Sequence, residues 1–316
     1  MECLICKKVE TVKFLDNYKL EIKEDKKFFR DLKIYHCEVC DFSFVNPMPG
    51  EDELNYFYKH IYRSLNRPPY WMTENHKVIK KQYLEDKNIN YLLYLTTLVN
   101  LLKIKNLYDF GAGLGDLGFL LKKKFSHLKL FCTENDDSCI KILKERGYSN
   151  FENLEDINTK FDLIITLHSL EHLSDTNIFS KFKDMLNPTG MIFFEVPNCP
   201  KEYFQGRAYD SPHLLFFTSK SIHKIAKMNN MEFINFSYSS CSFDVAHKYQ
   251  YEEWNKSKSP YSKIKKILKK IIPNFLIYLR RDFLAMRYAK SDEKTNWFTN
   301  NTGDNAYIRG ILIKKQ

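Results

Sequence analysis

The sequence predicts an α/β fold, a mostly parallel, doubly wound sheet placed behind a small four-cysteine module. Residues 105–240 alternate apolar strand-like runs with helical periodicities, the pattern of βαβ units. A glycine-rich turn, Gly111-Ala112-Gly113-Leu114-Gly115, stands where the first of those strands hands over to the first helix. Ahead of it, Cys3, Cys6, Cys37 and Cys40 form two CxxC pairs.

In chain order, residues 1–45 hold the cysteine pairs with short β-like runs between them. Residues 46–104 set Pro47, Pro49, Pro68 and Pro69 among aromatic-rich helical segments and end in an apolar run around Tyr91–Leu102, a helical linker or cap. Within 105–240 the expected elements are a strand at Leu107–Phe110, a helix at Leu117–Phe125, a strand at Leu128–Thr133 and a helix at Asp136–Arg146 stopped by Gly147. A buried strand at Phe161–Leu167 and a helix at Asp175–Leu186 follow. Pro188-Thr189-Gly190 reads as a turn before a strand at Met191–Val196. Thr218 reads as the N-cap of a helix through Met228, ahead of a strand at Met231–Tyr238. Residues 241–305 break the rhythm with a basic, aromatic insertion, and 306–316 read as a final strand of the core.

Composition bounds the function classes. With 44% hydrophobic and 28% charged residues among 316, the chain can bury a core and is not disordered. It has no apolar run of the ~18–20 residues needed to span a bilayer, and its start lacks a secretory signal, so a cytoplasmic location is expected. The eight cysteines do not read as a disulfide framework, which agrees. The net charge of +10 is local: between Pro260 and Lys290 there are nine Lys/Arg and one Asp, which is +8 of the total. That distribution argues against a nucleic-acid partner.

The chemistry centres on the glycine turn. Glycines there let the backbone turn tightly and let a ligand approach where a Cβ would clash. Nineteen residues past Gly115, Glu134 ends the second strand, where an acid can reach the ribose hydroxyls of an adenosine cofactor. Gly113-Leu114-Gly115-Asp116-Leu117-Gly118 also fits the dinucleotide pattern GxGxxG, so the motif alone leaves a nicotinamide or flavin enzyme open, and equally a glycine turn that binds no nucleotide. Asp109, just before the glycines, can face an amino-acid ammonium, which favours adenosylmethionine.

Further motifs complete the pattern. Phe161-Asp-Leu-Ile-Ile-Thr-Leu-His-Ser-Leu-Glu-His-Leu173, Leu186-Asn-Pro-Thr-Gly190, Phe194-Glu-Val-Pro-Asn198 and His213-Leu-Leu-Phe-Phe-Thr218 resemble, in that order, the class I S-adenosylmethionine-dependent methyltransferases. The nearest group includes the ubiquinone-type O-methyltransferases and bacterial sugar methyltransferases. This resemblance, over roughly residues 105–240, implies a Rossmann-like seven-stranded sheet whose last, antiparallel strand inserts beside the fifth. It implies that Asp109, Gly111, Ala112, Gly113 and Gly115 line the methionine part of the cofactor and that Glu134 and Asn135 lie at its ribose. Asn153 and Leu154 would lie near the adenine, and Leu167 and His168 would contact the cofactor.

The cysteine spacing C-x2-C-x30-C-x2-C supplies the four thiolates of a closed, structural zinc site, and a module of ~40 residues has too little core to fold without such a staple. Cys37-Glu-Val-Cys40-Asp-Phe-Ser-Phe-Val-Asn-Pro47-Met-Pro49, with Leu54, Tyr58 and Tyr62, resembles the N-terminal zinc module of bacterial methyltransferases of surface-polysaccharide and natural-product pathways. Among these are deoxysugar C-methyltransferases, which normally add a C-terminal α/β domain that 316 residues do not accommodate.

Methyl transfer from a sulfonium is an in-line displacement, and a hydroxyl or carbon acceptor must also lose a proton. His172 and His213 are the first candidates for the base, with His168 and Glu171 beside them; Glu171-His172 reads equally as ordering the loop without chemistry, and Glu195 and Asn198 are expected to bind acceptor hydroxyls. From Tyr261 onward, apolar residues at helical spacing oppose Lys263, Lys265, Lys266, Lys269 and Lys270. This is either a cap over the active site or an interfacial helix touching anionic lipid at the inner membrane. The expectation is a methyltransferase of a sugar or sugar-nucleotide oxygen in surface glycan biosynthesis. RNA or protein methylation, deoxysugar C-methylation and a cofactor-less scaffold are the alternatives.

Overall fold

The computed structural model describes residues 1–20, 23–62, 87–88, 90–204, 212–239 and 307–315. The basic segment at 260–290 and the middle of the 46–104 region lie outside the described residues. Among the described residues, no helix is long and apolar enough to cross a membrane.

The first part of the chain runs β1 (Val12–Asn17), α1 (Lys23–Phe28), β2 (Lys33–Cys37), β3 (Phe42–Asn46) and α2 (Glu51–Tyr56). Residues 90–98 form α3. The alternating region follows as β4 (Asn106–Phe110), α4 (Asp116–Lys124), β5 (Lys129–Thr133), α5 (Asp137–Glu145) and β6 (Tyr148–Phe151). It continues with β7 (Phe161–Leu167), α6 (Ile178–Met185), β8 (Leu186–Pro197), β9 (Leu215–Phe216), α7 (Ser219–Met228), β10 (Met231–Ser239) and β11 (Tyr307–Lys314).

Seven strands form one mixed sheet in the order β10-β11-β8-β7-β4-β5-β6. β4 to β8 pair in parallel, and β11 runs antiparallel to both β8 and β10, so the last strand inserts beside the fifth as expected. The central strands are largely apolar because both faces are covered. Alternate residues divide between two cores: Leu107, Leu163, Ile165, Phe193 and Ile311 meet α3 and α4, while Tyr108, Ile164, Ile192, Phe194 and Ile308 meet α6 and α7. Asp136 and Thr218 cap α5 and α7 through the backbone N–H groups of Cys139 and Ser221.

Two local expectations change. Pro188-Thr189-Gly190 is not a turn that starts a new strand. β8 begins at Leu186 opposite Phe161 and bulges through these residues before Met191 meets Leu163. Gly190 permits it, since a Cβ there would press on the Phe161 carbonyl at 2.6 Å. The strand β6 was absent from the sequence reading because its four residues, Tyr-Ser-Asn-Phe, carry little apolar signal.

A second sheet, β1-β2-β3-β9, is antiparallel and mixes the N-terminal segment with Leu215 and Phe216 of the later chain. Its apolar face continues into the main core, where Phe42 packs against Phe217 at 5.5 Å between ring centroids.

Gly118 illustrates how tightly α4 lies on the sheet, for a Cβ there would run into Tyr148, a buried ring whose hydroxyl donates to the Gly115 carbonyl (2.9 Å). Gly118→Ala should therefore lower the unfolding free energy in urea by about 1–3 kcal/mol. The helix preference of Ala, about 1 kcal/mol, acts in the opposite direction and is outweighed. Adding Tyr148→Phe should recover part of the loss.

Candidate active site

The carboxyl ends of β4, β5, β7 and β8 open onto one crevice, the usual ligand edge of a doubly wound sheet. At β4, Gly111, Gly113 and Gly115 all take positive φ (64°, 56° and 66°), conformations that strain any residue with a Cβ. Ala112 completes the turn with its N–H on the Thr133 carbonyl at 3.4 Å. Glu134 closes the loop: its carboxylate accepts from the N–H groups of Gly113 (2.7 Å), Asn135 and Asp136 (both 3.0 Å). Asn135 reaches Asn55 of α2 at 3.4 Å. Asn153 and Leu154 lie at the start of a 3-10 turn past β6, Asn153 exposed and Leu154 half-buried.

Asp109 is buried under this loop with the Tyr148 hydroxyl at 3.4 Å. Burial, reinforced by the charges of Glu134 and Asp116, pushes its carboxyl up to about 7, against the Tyr148 contact.

At the end of β7, half-buried Leu167 leads into His168, which has φ of 54°. The left-handed bend sends the His168 N–H to the Glu195 carbonyl (2.9 Å) and its Nε2 to the Glu195 carboxylate (3.0 Å). The next turn brings Glu171 and His172 beside it, and the Leu214 N–H donates to the Glu171 carbonyl (2.7 Å), which carries His213 into the same place. One oxygen of Glu171 and one ring nitrogen each of His172 and His213 lie within 4.8 Å of one another. The two imidazoles stand edge to face at 5.0 Å. Burial opposes the Glu171 charge, but the neighbouring imidazoles of His168, His172 and His213 outweigh it and hold the carboxyl well below its usual range. The four candidates for proton removal are thus gathered in one cluster.

Glu195 departs from expectation. It does not offer itself to acceptor hydroxyls, because it is fully buried and both its oxygens are engaged. Arg309 Nη2 and Nε lie 2.6 and 2.9 Å from Oε2, which also accepts from Ser239 (2.8 Å). Tyr91 donates to Oε1, and Lys87 Nζ lies 3.6 Å from it. Burial would raise the Glu195 carboxyl, and the cations Arg309 and Lys87 outweigh that and hold it well below the ordinary range. The same carboxylate, with Glu171, raises His168 above its usual value against burial and Lys87. Arg309, Tyr91, Lys87 and Ser239 were missed. A signal existed: Glu195 and Arg309 are lone opposite charges inside two apolar strands expected to pair.

The four cysteines meet at the other end of the chain segment that carries His213. Cys3 and Cys40 Sγ are 3.7 Å apart and Cys6 and Cys37 Sγ 3.8 Å apart, with all four within 4.8 Å of one another. Lys7 and Asp41, which follow the two pairs, both take positive φ (59° and 52°), the conformation a glycine would take there at less cost.

Residues 81–235 match the family model described as a methyltransferase domain. The matched stretch is just under half of the chain, which is an S-adenosylmethionine-dependent methyltransferase. No curated protein sequence matches it. Among solved structures, an O-methyltransferase from a trans-AT PKS multienzyme of Brevibacillus brevis, in complex with S-adenosyl-L-homocysteine, is 12% identical, covering 78% of this chain and 80% of its own at a TM-score of 0.46. Coclaurine N-methyltransferase bound to N-methylheliamine is 13% identical over 72% and 70%, with a TM-score of 0.45. Magnesium protoporphyrin IX methyltransferase from Synechocystis PCC 6803 is 13% identical over 59% and 91%, with a TM-score of 0.44.

Because Arg309 is the main charge partner of a carboxylate sealed from water, Arg309→Met should destabilise the fold by about 3 kcal/mol in urea unfolding. The double variant with Glu195→Gln should be more stable than Arg309→Met alone.

Proposed function

We propose that this methyltransferase acts on an oxygen of a small polyhydroxylated acceptor, a sugar or sugar nucleotide of surface glycan biosynthesis. The observation that carries this is the Glu171–His172–His213 cluster at the crevice, flanked by the hydroxyl-bearing rings of Tyr58 and Tyr62 at 5.6 and 6.2 Å from His172. A hydroxyl acceptor needs such proton-accepting groups, and its ring suits a wall of aromatic faces with polar tips. His168, held between Glu195 and Glu171, serves as a positioning residue, which leaves the acceptor proton to the cluster. Mass spectrometry of glycans and nucleotide sugars from cells with and without the gene tests the reading. The expected difference is the mass of one methylene on a sugar, and a methylene found only on RNA or protein would overturn it.

For the cofactor, Asp109 takes the methionine ammonium, and Gly111, Ala112, Gly113 and Gly115 admit the chain past the loop. Glu134 has three of about four lone-pair sites engaged by N–H groups, so one remains for a ribose hydroxyl. Asn135, Asn153, Leu154 and Leu167 complete the adenosine side. An acid raised in the folded protein is protonated below its pKa and ionises above it. A bound ammonium favours the ionised form, so adenosylmethionine affinity by calorimetry should rise from about pH 6 to about pH 8 and then level off. Asp109→Asn should flatten that profile and weaken binding, and an unchanged profile would remove Asp109 from the cofactor site.

The cysteines suit structural zinc. Metal–sulfur bonds of ~2.3 Å in a tetrahedron put the sulfurs about 3.8 Å apart, the spacing of both close pairs here. Chelation, or Cys40→Ser, should lower the melting temperature and release one zinc per chain by metal analysis. Zinc-free protein that melts unchanged would contradict the assignment. The basic 260–290 segment is proposed to contact a phosphate-bearing or lipid-linked acceptor from the cytoplasmic side.

A further inference from the structure

We infer that Glu171, His172 and His213 form a second metal site, one that takes a divalent transition-metal ion next to the methyl-transfer crevice. Glu171 is only 1% exposed, and among the described residues neither carboxylate oxygen has a hydrogen-bond partner. A buried carboxylate usually satisfies its lone pairs with N–H or O–H donors, as Glu195 does a few ångströms away. The groups facing Glu171 are instead imidazoles: His168 Nδ1 at 3.6 Å, and one nitrogen each of His172 and His213 within 4.8 Å. A carboxylate oxygen with two imidazoles is a donor set that suits ions such as Mn2+, Fe2+ or Zn2+ and leaves positions open for other ligands.

The surroundings hold the set in place as outer partners hold a metal ligand. The Pro212 carbonyl, which can only accept, lies 3.1 Å from His172 Nδ1, so this nitrogen carries the proton and Nε2 the lone pair of the neutral ring. The Tyr58 hydroxyl lies 2.9 Å from the same nitrogen, and Tyr18 donates to the His213 carbonyl at 2.7 Å. Backbone bonds from Leu214 to Glu171 and from Val45 to Leu214 (2.7 and 3.0 Å) fix the distance between the two histidine-bearing segments. Glu171 is sealed, whereas His172 and His213 are only half-buried, so the open side of the ion faces the crevice. Resting on the acceptor proposed above, that side would ligate the acceptor oxygen and ease loss of its proton, so in the metal-loaded chain the cluster would act through the ion and not by accepting the proton itself.

Mn2+ is the probe, because the four thiols are too soft a set to hold it. In the full chain carrying a single equivalent of zinc, enough for the four thiols alone, loss of the free-ion electron paramagnetic resonance signal should show one Mn2+ bound. Glu171→Gln, which keeps size and removes charge, and His213→Ala, at a half-buried position, should each weaken binding roughly ten-fold or more. Adenosylmethionine calorimetry on the same samples reports whether each variant remains folded. Mn2+ that fails to bind the wild type at millimolar concentration overturns the site and leaves Glu171 paired with protonated imidazoles. Binding that neither variant weakens overturns it as well. Wild type that holds Mn2+ at these residues without binding adenosylmethionine keeps the metal site and removes its link to methyl transfer.

Discussion

A carboxylate with no access to water, Glu195, joins the elements that the crevice depends on. Its strand position places it opposite Arg309, so the ion pair of β8 and β11 is also the register of the inserted antiparallel strand. Moving β11 by one residue would turn Arg309 to the other face, against α6 and α7, and leave Glu195 buried without its main counter-charge. The other oxygen of Glu195 receives Tyr91 from α3 and the imidazole of His168 from the end of β7. Sheet order, the packing of α3 and the left-handed bend at His168 therefore rest on the same group. This arrangement fixes position at a cost in desolvation, and a hydrophobic pair in its place would lose the direction in which His168 is held.

A second constraint runs through residues 212–218. This short stretch pairs with β3 through Leu215 and Phe216, bonds to Glu171 through Leu214 and caps α7 with Thr218, whose hydroxyl donates to the Asp41 carbonyl in the second cysteine pair (2.6 Å). The cysteine cluster and the histidine cluster are two ends of one hydrogen-bonded ladder. A metal in the first would stiffen the backbone that sets the geometry of the second, and under the proposed function the N-terminal sheet would then bear on acceptor placement as well as on stability.

How much of this was legible follows from which forces are local. Strands buried on both faces announce themselves by continuous apolar character, and Phe161–Leu167 agrees residue for residue. The Thr218 cap and the glycine turn were equally readable, because each is a short-range backbone requirement. The cysteine spacing foretold a cluster, and the four thiols do meet. Glu195 was misread because, in sequence, a carboxylate at a strand end looks the same whether it faces solvent or an arginine 114 residues later. Strand β6 escaped for the opposite reason: it is held by its parallel partner β5 and by Tyr148 beneath α4, not by any pattern of its own.

Three buried carboxylates near one crevice end in three electrostatic states, and their partners decide which. Glu195 has a guanidinium and an ammonium close by, which hold its carboxyl well below the ordinary range against burial. Among the described residues Asp109 is faced by two further acids and a phenol, so burial dominates and its proton is retained up to about 7. Among the described residues Glu171 is faced by imidazoles, groups that are cationic or metal-binding according to conditions. When neighbouring acids are driven apart in this way, their roles separate too. Glu195 is satisfied by the chain and can only hold structure. Asp109 gains most from a cation brought in by a ligand, the part proposed for the methionine ammonium of adenosylmethionine. Glu171 lies between these cases, its charge favoured by residues that could share it with a metal ion, which is why the proposed acceptor chemistry is placed there.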